Sequence, residues 1–249
     1  MLKTILKIFL WLLLFGFLGF TVWFTTQELD RVSCQEVSVR IIEGSPRFLQ
    51  EEDILELIKK TDRSIFGKKL NQINTEVLEE KLRTVENIRN VEVFRVISGK
   101  SLQFKGKLVF DVEQRNPVVR IKTNEFDYYL DKEGIKIPIS DKFTVKVPVF
   151  SGTVTSEYAT KELLPFAGFI YSDPFWKAQI EQVFVKENNE LLVIPRVGDH
   201  LIEFGTPENF QEKLRNLKAV YQQGFSKTGW DKYTIISLKY KNQVVCTKS

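Results

Sequence analysis

The chain has 249 residues, 27% of them charged and 12% aromatic, with 36 Lys and Arg against 32 Asp and Glu for a formal charge of +4. This is the composition of a folded protein rather than a disordered one, and its cations are interspersed with carboxylates instead of forming the basic block of a nucleic-acid binder. At about 150 residues per domain, the length allows one or two compact units.

An apolar run over 8–24 comes first, uncharged throughout and preceded by Lys3 and Lys7. A hydrocarbon core of roughly 30 Å takes about 20 helical residues, and 5–24 reaches that length if the Lys7 ammonium snorkels to the interface. Trp11 and Trp23 lie near the two ends, where indole prefers to sit. The expected anchor is marked by Ile8, Trp11, Phe15, Phe20 and Phe24. A cleaved signal peptide is the competing reading, but Phe24-Thr25-Thr26-Gln27-Glu28 offers no small-residue cleavage site. Positive charge concentrated before the span predicts a cytoplasmic tail over 1–7 and an anchor over 8–24. A juxtamembrane stretch over 25–35 and a translocated remainder follow from the same rule.

Polar and apolar residues alternate over 36–41, the period of a half-buried strand, which Gly44 and Pro46 end. A helix over 50–60 gathers Ile54, Leu55 and Ile58 on one face, with Glu51, Glu52 and Asp53 in the first turn where the helix dipole favours carboxylates. Asn74 is a good N-cap for a second helix whose stripe is Val77, Leu78, Leu82 and Val85. Strands follow over 90–97 and 108–114, joined by a loop holding Gly99 and Gly106, and Asn116-Pro117 closes the unit. The order predicts an α+β layer over 36–117, two helices covering one face of a three-stranded sheet.

From Val118 onward strands and tight turns dominate. A hairpin is expected over 127–138, its turn built on Asp131-Lys132-Glu133-Gly134. Helices are expected over 161–171, from the Asp173-Pro174 cap, and from Thr206-Pro207-Glu208 to about 223. Strands are expected over 179–186, 190–195, 201–204, 233–240 and 244–246, so 118–249 reads as a mainly antiparallel β domain with flanking helices.

Local catalytic motifs are missing from this sequence: it has no Gly-x-Ser-x-Gly elbow, no phosphate-cradling Gly loop and no His-Glu-x-x-His. The single His200, between a turn and a strand, predicts a surface or capping role, and Asp131 with Glu133 reads as turn chemistry. Ser and Lys are plentiful, but nothing marks a particular dyad. No cofactor, metal, nucleic acid or small-molecule substrate is expected. Cys34 and Cys246 are expected to stay unpaired thiols, since a bridge would have to bring their Cα atoms within about 7 Å.

Several stretches together resemble the bacterial cell-division family FtsQ, called DivIB in some lineages. They are Leu70-Asn71-Gln72-Ile73-Asn74, Ile88-Arg89-Asn90-Val91-Glu92-Val93, and Val112-Glu113-Gln114-Arg115-Asn116-Pro117-Val118. Tyr128-Tyr129-Leu130-Asp131-Lys132-Glu133-Gly134 and Val147-Pro148-Val149-Phe150-Ser151-Gly152 add to them. The resemblance covers nearly the whole chain. It implies a single anchor, a POTRA domain and a C-terminal β domain, in a non-enzymatic scaffold of the inner membrane and division septum. Such a scaffold binds FtsB and FtsL, meets other division proteins through its POTRA domain, and helps place and regulate septal peptidoglycan synthesis.

In the family, FtsB adds a strand to the edge formed by the final β segment. The residues implied here are Leu238, Lys239, Tyr240, Gln243, Val244 and Val245. Ser237, Lys239 and Asn242-Gln243 depart from the family's usual Asp-Leu-Arg-Tyr and Gly-containing turn, whereas Leu238 and Tyr240 match it. An exposed last strand is a row of unpaired backbone groups open to an extended peptide, although Lys239 and Lys241 equally suit protection of that edge. The alternative classes are a membrane-anchored envelope hydrolase, which needs a pocket of convergent polar groups, and a POTRA-containing envelope assembly factor. The latter's barrel needs more strands than 118–249 can supply.

Overall fold

Helix α1 spans Leu2–Asp30 and so extends past 8–24 at both ends in the computed structural model, which describes residues 2–100, 103–225, 229–230 and 232–248. Met1 of the expected tail and Ser249 of the expected β domain lie outside the described residues. Within α1, Lys7–Glu28 is long and apolar enough to cross a membrane, its 22 residues rising about 33 Å. Ile8, Trp11, Phe15, Phe20 and Phe24 are exposed along it, with the Trp11 and Phe15 rings stacked at 5.7 Å. Near its C-terminal end the hydroxyls of Thr21 and Thr25 donate to the carbonyls of Leu18 and Thr21 at 2.9 and 2.8 Å, and Thr26 donates to Val22. These bonds satisfy the polar groups inside the helix, as a hydrocarbon environment requires.

The chain divides into two compact units, Met1–Gln114 and Arg115–Ser249. After α1, the first contains β1 (Cys34–Ile41), α2 (Glu51–Thr61), α3 (Thr75–Arg83), β2 (Ile88–Lys100) and β3 (Gln103–Gln114). The sheet order is β1-β3-β2, with β1 parallel and β2 antiparallel to β3. The Gln50 backbone N–H donates to Asp53 at 3.0 Å and Asn74 accepts from the Val77 N–H at 3.2 Å, so each helix start is fixed by its own sequence. Ile54, Ile58, Leu78 and Leu82 then pack with Val91, Leu108, Phe110 and Val112.

The expected loop between the last two strands is a correction. Pairing continues through Ser98↔Lys105 to Lys100↔Gln103, so Gly99 and Gly106 lie inside a ribbon. Gly106 is required by close approach, because a Cβ there would collide with the Ser33 carbonyl oxygen and the Leu70 side chain.

Among the described residues the second unit is built on nine strands: β4 (Pro117–Lys122), β5 (Asp127–Asp131), β6 (Lys136–Pro138), β7 (Val149–Gly152), β8 (Ile180–Val185), β9 (Leu191–Pro195), β10 (Leu201–Gly205), β11 (Tyr233–Ser237) and β12 (Val245–Lys248). Their order is β12-β11-β10-β9-β8-β7-β4-β5-β6, antiparallel except for the parallel pairs β4–β7, β7–β8 and β10–β11. Helices accompany them: α4 (Ser156–Tyr158), which runs through a π turn into α5 (Leu164–Ser172), then α6 (Pro174–Gln179) and α7 (Phe210–Ala219). Thr206-Pro207-Glu208 does not open α7. The helix starts after Asn209, whose left-handed φ of 52° ends the loop, and Lys213 ties that loop down by donating to the carbonyls of Phe204 and Thr206.

One register row crosses seven strands, Ile121↔Phe150↔Val183↔Val193↔Ile202↔Ile236↔Cys246. Its members are buried except Cys246, which is half-buried at the edge, so this row defines the core face of the sheet. Phe166 of α5 lies on it, 5.9 Å from Phe150 and 4.9 Å from Phe204 between ring centroids.

His200 is also a correction, being buried rather than on the surface. Its Nε2 lies 2.7 Å from the Tyr221 hydroxyl, and its ring meets Tyr221, Phe225 and Trp230. Burial pushes its pKa below the usual 6.5. The residues that enclose it come later in the chain, so no local pattern could place it.

Candidate functional site

Strand β12 is the last strand on its side of the sheet, paired with β11 through Ile235↔Thr247, Ile236↔Cys246 and Ser237↔Val245. Its other edge pairs with no strand among the described residues. Alternation sends Val244 and Cys246 toward the core, while Val245 and Thr247 stay exposed. Burial raises the Cys246 thiol pKa, which keeps it protonated. Cys34, buried in the other unit, is likewise a free thiol with a raised pKa.

The expected strand over 233–240 ends at Ser237. Leu238 still donates its N–H to the Glu203 carbonyl at 2.8 Å, but its side chain is buried in the core, where it pins the turn from beneath. The chain then reverses at Asn242, whose φ of 59° is left-handed, with the Gln243 N–H reaching the Tyr240 carbonyl at 3.3 Å. Strand structure resumes at Val245, one residue after the expected start, because Val244 is still leaving the turn. The structure therefore gathers the six residues into one turn and the edge beyond it. Lys239, Tyr240, Gln243 and Val245 are exposed, Val244 is partly covered, and Leu238 is inside.

Two carboxylates that sequence reading missed hold this turn. Lys239 Nζ donates to Glu190 Oε2 at 2.8 Å and lies 4.0 Å from Glu203. The hydrogen bond to Lys239 lowers the Glu190 pKa, and the same bond raises that of Lys239. Alternation along β10 is the one signal that puts Glu203 on the open face, and nothing local points to Glu190. Between this turn and the start of α7 is a depression of about 280 Å³, lined in part by Glu208, Glu212, Lys213 and Tyr240. Burial lowers the Lys213 pKa there.

A larger groove of about 730 Å³ crosses β4, β7 and β8 on the face opposite the core row. Three of its polar side chains, Arg120, Ser151 and Gln182, are engaged in pairs. Arg120 makes a two-pronged ion pair with Asp127 at 2.7 and 2.6 Å, and Gln182 Nε2 donates to the Ser151 hydroxyl at 3.1 Å. Among the described residues no group of three or more His, Cys, Asp or Glu is placed to hold a metal ion. What the β12 edge can do chemically is accept an extended chain through its outward N–H and C=O groups.

The same two-part arrangement, a POTRA-like domain followed by a large mixed sheet, emerges from comparison with known families. A family model described as FtsQ/DivIB, C-terminal related, matches residues 116–247, more than half of the chain, and a POTRA-like domain model matches residues 32–101. The chain belongs to the FtsQ/DivIB family of cell-division proteins. No curated protein matches it.

Proposed function

We propose that this protein is a non-enzymatic scaffold of the division site that captures FtsB- and FtsL-type partners at its C-terminal edge. α1 serves as a single-pass anchor in the inner membrane, with the N-terminus cytoplasmic and both folded units, over 36–117 and 118–249, in the periplasm. One observation carries the reading: among the described residues β12 ends the sheet with an unpaired backbone edge, flanked by a turn that exposes Tyr240. A partner segment in extended form gains a main-chain ladder there, and an aromatic side chain beside it supplies an apolar anchor of the type that dominates interfaces. Through this contact the scaffold localises and regulates septal peptidoglycan synthesis.

The test is co-purification of the full chain from membranes, paired with a periplasm-active reporter fused after Ser249. Recovery of the FtsB and FtsL pair with an active reporter is expected. Cytoplasmic reporter activity, or membranes rich in both partners that yield neither, would overturn the proposal.

A further inference from the structure

The end of the first unit that follows directly on α1 carries a feature that partner capture does not use. The chain leaves α1 at Asp30, and the residues that follow pair at once with a loop far along the sequence. Leu70 N–H donates to the Val32 carbonyl at 3.0 Å, Cys34 N–H to Lys68 at 2.9 Å and Gly67 N–H to Cys34 at 2.8 Å, with a bridge between Ser33 and Lys69. The apolar span ends at Glu28, and Val32 lies within about 10 Å of that point, two helical residues and two extended ones away. The headgroup zone is itself roughly 5–7 Å thick on each side, so the loop over 65–70 is held against it by covalent connection and hydrogen bonds.

What the loop presents suits that position. Ile65 and Leu70 are buried and fix its two ends, Gly67 turns it at a φ of 83°, and Phe66 between them is 47% exposed. Over 56–69 there are five cations, Lys59, Lys60, Arg63, Lys68 and Lys69, against two carboxylates, Glu56 and Asp62. Lys60 is bound to Glu56 at 2.8 Å, whereas Lys59, Arg63 and Lys69 are exposed and make no ion pair among the described residues. Phe66, Lys59, Lys60 and Arg63, together with Glu56 and Asp62, border a shallow depression of about 440 Å³ at the end of α2. An aromatic ring among unpaired cations, beside the exit of a membrane span, matches acyl chains under anionic headgroups.

We propose that the loop around Phe66 and the last turn of α2 form a second membrane contact, in which Phe66 enters the interface and Lys59, Arg63 and Lys69 meet anionic lipid phosphates. This rests on the reading of α1 as an anchor and adds to it, because it fixes the orientation of the first unit on the bilayer. Each cation within a Debye length of an anionic leaflet favours this seat by about fivefold.

The full chain, reconstituted in phosphatidylcholine nanodiscs with and without phosphatidylglycerol, tests this with p-benzoylphenylalanine placed at one position at a time. Phe66 is the test position. Phe15, within the span, is the positive control. Ile42 is the negative control, being 46% exposed yet roughly 26 Å from Cys34 along β1. Lipid adducts by mass are expected at Phe15 and Phe66 and not at Ile42, with a several-fold gain at Phe66 when phosphatidylglycerol is present. Lys59→Gln, Arg63→Gln and Lys69→Gln together should remove that gain. An adduct at Phe15 with none at Phe66, or a Phe66 yield indifferent to lipid charge, overturns the second contact alone. No adduct at Phe15 overturns the anchor reading, and the contact with it.

Discussion

Asp131→Ala removes the group on which the β5–β6 hairpin is built. The carboxylate is 1% exposed: Oδ1 accepts the N–H groups of Glu133 at 3.0 Å and Ile135 at 2.8 Å, and Oδ2 accepts from Arg115 at 2.8 Å. Truncating one member of a buried pair costs about 3–5 kcal/mol, because its partner is left charged and unpaired. Arg115 keeps 18% side-chain exposure, so water recovers part of that and the expected loss is about 3 kcal/mol. For a unit of this size the melting temperature should fall by roughly 10 °C. Asp131→Asn retains an acceptor for the two amides and loses the charge, so its fall should be about half as large. Thermal unfolding of the full chain in detergent, followed by tryptophan fluorescence, to which buried Trp176 contributes, measures both. A fall of less than about 2 °C for Asp131→Ala would refute the reasoning and place the hairpin's stability elsewhere.

The buried His200 makes the second unit acid-sensitive. Burial depresses its pKa below 6.5, against a weaker opposing pull from Asp199, so the unfolded chain takes up the proton first. Stability present above about pH 6.5 is then lost as pH falls through the depressed folded value, and denaturation midpoints at about pH 7.5 and 5.5 should differ less in His200→Phe than in the parent. Gly152 has a φ of 93°, and a Cβ there would collide with the Val185 carbonyl; Gly152→Val should cost more than about 3 kcal/mol by denaturant unfolding. Gly168→Ala, where a Cβ meets only open space, should instead raise stability by up to about 1 kcal/mol in the same measurement.

Elements whose determinants are local could be read from the sequence. Acidic residues before Ile54, the Asn74 cap and the turn at Asp131 act within a few residues of themselves, and helix or hairpin follows each. The short apolar runs of β8, β9 and β10 also showed, because each strand packs one face on the core. Gly106 misled because a glycine demanded by a distant backbone looks the same as one demanded by a turn. His200 misled for a related reason, since Tyr221, Phe225 and Trp230 reach it only after α7 has formed. At the candidate edge the apolar pattern located the last two strands. The end of β11 depends on the left-handed Asn242, and the hold on Lys239 depends on Glu190 from another hairpin.

The proposed docking edge is tested most directly by proline placed in β12. Amides along an antiparallel strand alternate between the partner strand and the outside, so of Val245→Pro and Cys246→Pro one removes a bond to β11 and the other an outward donor. Thermal unfolding separates them, since only the first should lower the melting temperature appreciably. The measurement is the affinity of the FtsB and FtsL pair for the full chain carrying the proline that spares stability, combined with Tyr240→Ala. The lost ladder bond and the lost aromatic anchor together predict an affinity at least about tenfold weaker. Parental affinity in that folded double variant would contradict strand addition at β12.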